Sequence, residues 1–80
     1  MKRSRQELYL YQSMIEDLPE FLTEYRKVNP ITQEELANEL GLSAGAVSAD
    51  ESGRYRTAGL DRLLQVVNAL IRISHRKNIN

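Results

Sequence analysis

Cysteine is missing from this sequence, and with it go disulfide staples and thiolate metal sites. There is no tryptophan, and the only histidine is His75, which removes imidazole metal sites and most general-base chemistry. Long hydrophobic runs are also lacking. In the opening "MKRSRQELYLYQSMIEDLP", Gln6, Glu7 and Gln12 interrupt any signal-peptide core. No run approaches the roughly 18 residues of a membrane span. The expectation is a single cytoplasmic domain over residues 1–80, with no cofactor and no metal. A chain this short buries only about 60% of its unfolded surface, so self-association is the expected source of extra stability.

Positive charge is scarce where it matters most. Lysine and arginine balance aspartate and glutamate at eleven each, so overall charge does not argue for nucleic acid. The distribution is uneven: Lys2, Arg3 and Arg5 open the chain, Arg72, Arg76 and Lys77 close it, and no basic residue lies between Lys27 and Arg54.

What is present is helical periodicity and helix punctuation. Leu8, Tyr11 and Ile15 recur at i, i+3 and i+7, which predicts a helix over about 6–16. Pro19 suits a second start, and Leu18, Phe21, Leu22 and Tyr25 form the stripe of a helix ending near Val28, before Asn29–Pro30. Thr32 with Glu35 forms a capping box, and Ile31 with Leu36 a hydrophobic staple. That helix ends at Gly41. Ser43 caps another, which runs from Ala44 to about Ser52 and stops at Gly53. After the loop "RYRTAG", Leu60, Leu63, Leu64, Val67, Leu70 and Ile71 give the strongest stripe, with Thr57 or Gly59 as its cap. If that stripe is core, Leu64→Ala costs about 2–5 kcal/mol. The tail "LIRISHRKNIN" reads equally as a short edge strand or as more helix.

Two short helices around a glycine-containing turn make a helix-turn-helix unit. From about Leu18 to Leu70 the chain resembles the Xre or Cro/phage-repressor type of helix-turn-helix protein. The resemblance rests on "TQEELANELGLS", "VS", "ESG" and "LDRLLQVVNAL" in register. It implies an all-α, lambda-repressor-like bundle of four or five helices. Residues 1–17 would add an N-terminal helix, and 71–80 a tail with a possible short strand. It also implies a DNA-binding transcriptional regulator, a repressor or antitoxin-like autoregulator, acting as a homodimer on a two-half-site operator. By position, Gln33 would contact phosphate or a base edge, and Thr32 and Ser43 would cap their helices and donate to phosphate. Ala44, Gly45, Ser48 and Ala49 would face the major groove, with Arg54 and Arg56 near the backbone. The resemblance further pairs Glu51 with Arg26 as a structural ion pair.

The sequence departs from that pattern on the reading face. Ala44, Gly45, Ser48 and Ala49 replace the Gln, Asn, Arg or Lys that make bidentate base contacts worth about 1–3 kcal/mol each. Asp50 stands where the family has a large apolar residue, and the segment 31–53 carries five acids and no base. Two readings stay open. Either arginines outside the motif attract the phosphates, or the unit is a protein-interaction module, such as a toxin-neutralising partner, with little DNA binding.

Other residues have plainer readings. Tyr9, Tyr11, Tyr25 and Tyr55 read as core or interface area rather than a base-stacking platform. His75 reads as a solvated side chain, and Ser43 and Ser48 lack a nearby base to act as nucleophiles. Glu34 and Glu35 serve a cap and a solvated face. Arg3 and Arg5 are a solubilising tail or a minor-groove arm. No catalytic constellation assembles, so the protein is read as a non-enzyme.

Overall fold

The computed structural model describes residues 3–80, so Lys2 of the expected basic tail lies outside the described residues. Four α-helices follow in order: α1 (Arg5–Val28), α2 (Gln33–Leu40), α3 (Ala44–Ser52) and α4 (Leu60–Arg76). Among the described residues there is no strand, and no helix is long and apolar enough to cross a membrane.

The separate N-terminal helix expected over 6–16 does not exist as such. Residues 5–28 form one continuous helix with Pro19 inside it. Its start is a capping box: Ser4 Oγ accepts from the Glu7 N–H at 3.3 Å, and a Glu7 carboxylate oxygen accepts from the Ser4 N–H at 2.8 Å. Proline removes one helical bond and crowds the carbonyl four residues back. The helix nevertheless runs through Pro19, and one apolar seam crosses it. Leu8, Tyr11, Ile15, Leu18, Leu22 and Tyr25 alternate at three and four residues along a single face.

The α2–α3 unit forms as its caps dictate. Thr32 Oγ1 accepts from the Glu35 N–H and Glu35 returns the bond, both at 3.0 Å. Gly41 takes φ +72°, and the Leu42 N–H closes back on the Ala37 carbonyl at 2.9 Å. Ser43 Oγ then caps α3 by accepting from the Ala46 N–H at 3.1 Å. Gly53 ends α3 with a negative φ, and its role is close approach: a Cβ there would sit 3.3 Å from the Ala49 carbonyl oxygen. The left-handed conformation falls instead on Arg54 and Tyr55, and the buried Tyr55 ring pins that turn.

The core lies between α2, α3, α4 and the C-terminal half of α1. Leu22, Ile31, Leu36, Ala37, Val47, Val66, Ala69, Leu70 and Ile73 are each no more than 4% exposed. For α4, one open reading is decided and one expectation is corrected. The edge strand in the tail is absent; α4 continues to Arg76, because Ile73 and Ser74 are buried on its core face while Ile71 and Arg72 point away. The core stripe is also rotated. Leu63, Val66, Leu70 and Ile73 face inward, whereas Leu60 and Leu64 are 73% and 56% exposed. The apolar arc of α4 is wider than one neighbour can cover. On the α1 side, the Tyr25 hydroxyl and Ser74 Oγ lie 2.6 Å apart and lock the two helices together.

The N-terminal half of α1 leaves this body. The radius of gyration is 14.0 Å, against about 11.6 Å for a compact domain of this length. The longest dimension, 42 Å, follows from a 24-residue helix of about 36 Å.

Candidate functional site

The residues singled out in the sequence fall on the α2–α3 unit and the loop behind it. Val47 is the single buried apolar residue of α3, on the same face as the Glu51 carboxylate. With one anchor on one face, the opposite face of the helix must meet solvent. Gly45, Ala49 and Ser52 are exposed there, and Ala44 and Ser48 are half-buried beside them. Thr32 and Ser43 are exposed with their side chains engaged as caps. The exposed face of α3 is small, neutral and smooth, so it can come close to a partner surface but offers few side-chain hydrogen bonds.

Behind that face sits a buried polar network. Arg26 Nε donates to Glu51 Oε2 at 2.7 Å and Arg26 Nη2 to Glu51 Oε1 at 2.9 Å, a two-point bond between α1 and α3. Both side chains are under 10% exposed. Arg26 Nη1 also donates to the Ile31 carbonyl at 2.9 Å, holding the entry to α2. Gln33 Nε2 donates to Glu51 Oε1 at 3.0 Å. The pairing of Arg26 with Glu51 is thus in place, and Gln33 is joined to it rather than standing free at the surface.

The acids of the base-free segment have partners elsewhere in the chain. Glu51 meets Arg26 from α1; Asp50 accepts from Arg62 of α4 at 2.8 Å. Glu39 is held by Arg72 at 2.7 Å and also by Arg76, and Glu35 by Lys77 at 2.6 Å. Of the five acids between 31 and 53, Glu34 alone forms no ion pair among the described residues. The segment lacks lysine and arginine because its counter-charges stand on the helices that pack against it. Lys77, with the Thr32 N–H, holds the Glu35 carboxyl below the usual glutamate range. Arg76 and Arg72 do the same to Glu39.

Arg54 and Arg56 follow α3 as expected but differ in engagement. Arg54 reaches Glu20 of α1 at 3.4 Å with both side chains well exposed, a weak tie. Arg56 is exposed and forms no ion pair among the described residues. The two share a depression with Ile15, Glu16, Pro19 and Leu63, beside the middle of α1. Between them Tyr55 is buried, and burial, reinforced by Glu51 and Asp50, pushes its phenol up to about 12.

Sequence reasoning missed the pairs that cross between elements. Asp50–Arg62, Glu39–Arg72 and Glu35–Lys77 span 12, 33 and 42 positions, so no local spacing could reveal them. The one available signal was complementarity of count: a segment rich in acids without bases, next to a closing helix rich in bases. Comparison of the chain with protein-family models, with curated proteins and with solved structures finds no match.

Proposed function

We propose that this protein is a sequence-specific DNA-binding regulator of the Xre/Cro helix-turn-helix type, with a lambda-repressor-like core, acting as a homodimer on a two-half-site operator. The observation that carries the reading is the neutralised segment. Acids that would repel a phosphate backbone are matched by Arg26, Arg62, Arg72, Arg76 and Lys77, and α3 keeps a slim solvent-facing side. Gly45 and Ala49 allow that side close to base edges, where an alanine touches a thymine methyl and Ser48 bonds with little selectivity. Discrimination then rests on backbone amides, water and DNA shape. Arg54 and Arg56 supply the phosphate attraction, with the capped start of α2 adding its N–H groups. The antitoxin-like role, repressing its own promoter while holding a toxin, fits the same surface. The expected location is the cytoplasm.

A salt titration tests the reading. Two arginines per protomer give four phosphate contacts per dimer and a slope of log K against log salt of about −3.6. Duplex affinity should therefore fall by about 150-fold between 50 and 200 mM salt. Arg54→Ala with Arg56→Ala should remove most of both the affinity and the slope, and Ala44→Arg should strengthen non-specific binding. Binding that ignores salt, or survives the double substitution, would refute the reading.

The small, neutral outer face of α3, which offers few side-chain hydrogen bonds, favours a second reading, a protein-interaction module that keeps the fold. Absence of any duplex shift at low salt, with capture of a protein partner through the α3 face, would decide for it.

A further inference from the structure

The N-terminal half of α1 is a helix whose apolar seam is largely uncovered among the described residues. Leu8, Tyr11, Met14 and Ile15 are 70%, 57%, 56% and 56% exposed. Three of them, Leu8, Tyr11 and Ile15, continue the seam whose later members, Leu18, Leu22 and Tyr25, pack on α4. An isolated helix of this length is marginal in water. Yet the arm has a complete capping box and an Arg3–Glu7 ion pair at 3.0 Å. A capped helix whose core seam runs past the end of its own core is half of an interface.

We propose that this arm pairs antiparallel with the same arm of a second copy of the chain, centred near Tyr11 and Gln12. This rests on the homodimer of the proposed function and assigns its interface. Charge selects both the occupant and the direction. The arm begins with Arg5 and ends with Glu16 and Asp17, and none of the three forms an ion pair within the protomer among the described residues. An antiparallel copy brings each Arg5 beside the partner's acidic end, whereas a parallel copy stacks like on like. The arm itself offers Leu8, Tyr11, Met14 and Ile15, each more than half exposed, on the order of 400 Å² per protomer at roughly 100 Å² apiece, the size of a weak, concentration-dependent dimer.

The test uses the full chain without DNA. Sedimentation across a concentration series should show a dimer for the parent protein. Ile15→Glu should weaken it at least tenfold, while Val28→Glu, at a more exposed apolar site on the far end of α1, should leave it unchanged. Arg5→Glu and Asp17→Arg should each weaken the dimer about tenfold at low salt, and mixing the two should restore a heterodimer. Because the chain has no cysteine, introduced thiols report the direction. Tyr11→Cys should self-crosslink under oxidation; Leu8→Cys should do so poorly alone but readily when mixed with Ile15→Cys. A parent chain that stays monomeric, a dimer indifferent to Ile15→Glu, or Leu8→Cys crosslinking alone as fast as Tyr11→Cys would overturn the inference. Salt-dependent duplex binding by a monomer would spare the DNA reading, and an arm-paired dimer blind to DNA would sink that reading alone.

Discussion

Replacing Glu51 with alanine isolates the feature on which the α2–α3 unit depends. Arg26 then keeps the Ile31 carbonyl but loses both carboxylate bonds, at 2.7 and 2.9 Å, while remaining only 8% exposed. Stranding one partner of a buried pair costs about 3–5 kcal/mol. An 80-residue domain at 0.05–0.15 kcal/mol per residue has about 4–12 kcal/mol in total. Glu51→Ala should therefore remove a large share of the stability, read as a fall in the urea midpoint by far-ultraviolet dichroism at constant slope. The companion change is more diagnostic. Arg26→Met with Glu51→Leu removes both charges and fills the space, so it should regain part of the loss, the Ile31 carbonyl giving up its Arg26 bond. If Glu51→Ala falls within about 1 kcal/mol of the parent, or the apolar double variant is worse than the single one, the pair is not the buried strut described here.

Further outcomes follow from packing, backbone and charge. Ile73→Ala, at a site 2% exposed, should cost about 2–5 kcal/mol in urea melts, while Leu64→Ala should cost less than about 1 at concentrations where the chain is monomeric. Equal losses would reverse the orientation of α4. Gly41→Ala meets nothing within 4 Å but must hold φ near +72°, so it should cost about 1–2 kcal/mol, and a stabilising result would refute the turn geometry. Glu35 and Glu39 titrate below the ordinary glutamate value of 4.5 in the folded chain, so their contribution is present above that value and lost as pH falls through their lowered pKa. A urea midpoint followed from pH 7 to 3 should drop below about 4.5, and Glu39→Gln should flatten the drop. Tyr55 acts at the other end. Its phenol is raised from 10.0 to about 12, so stability present below 10 is lost through that interval, and Tyr55→Phe should abolish the alkaline loss.

Local rules made most of the helical framework legible. The box at Thr32 and Glu35, the turn at Gly41 and the cap at Ser43 act over three or four residues, and each forms as expected. Ser4 and Glu7 have the same spacing and open α1, a signal present in the sequence and overlooked. Pro19 misled because proline is both a good first residue and a tolerated interior one when the apolar seam continues across it. On α4 the apolar residues cover more arc than the core needs, so periodicity alone could not say whether Leu64 or Val66 points inward. The candidate site divides the same way. Its caps and exposed small residues were readable, whereas the partners of Gln33, Glu39 and Asp50 depend on which helices fold against them.

The same charges that neutralise the α2–α3 segment also fix where its free charge can lie. Arg62, Arg72, Arg76 and Lys77 all sit on or just past α4 and each is spent on an acid of α2 or α3. Those cations cannot attract a polyanion without releasing a carboxylate, which would cancel the gain. Among the described residues, the charges left for a partner are Arg56, the loosely held Arg54, Lys27, and Arg5 at the start of the arm. If Arg5 is committed to a second copy, the loop after α3 and Lys27 near the end of α1 hold the rest. On the proposed DNA reading, a polyanion would engage the molecule near the loop that follows α3, and a paired arm would set the distance between two such loops. Arm pairing and duplex reading are separable by mutation, but each gains from the other: a fixed separation of two weak, lightly charged faces is what turns them into one site of useful affinity.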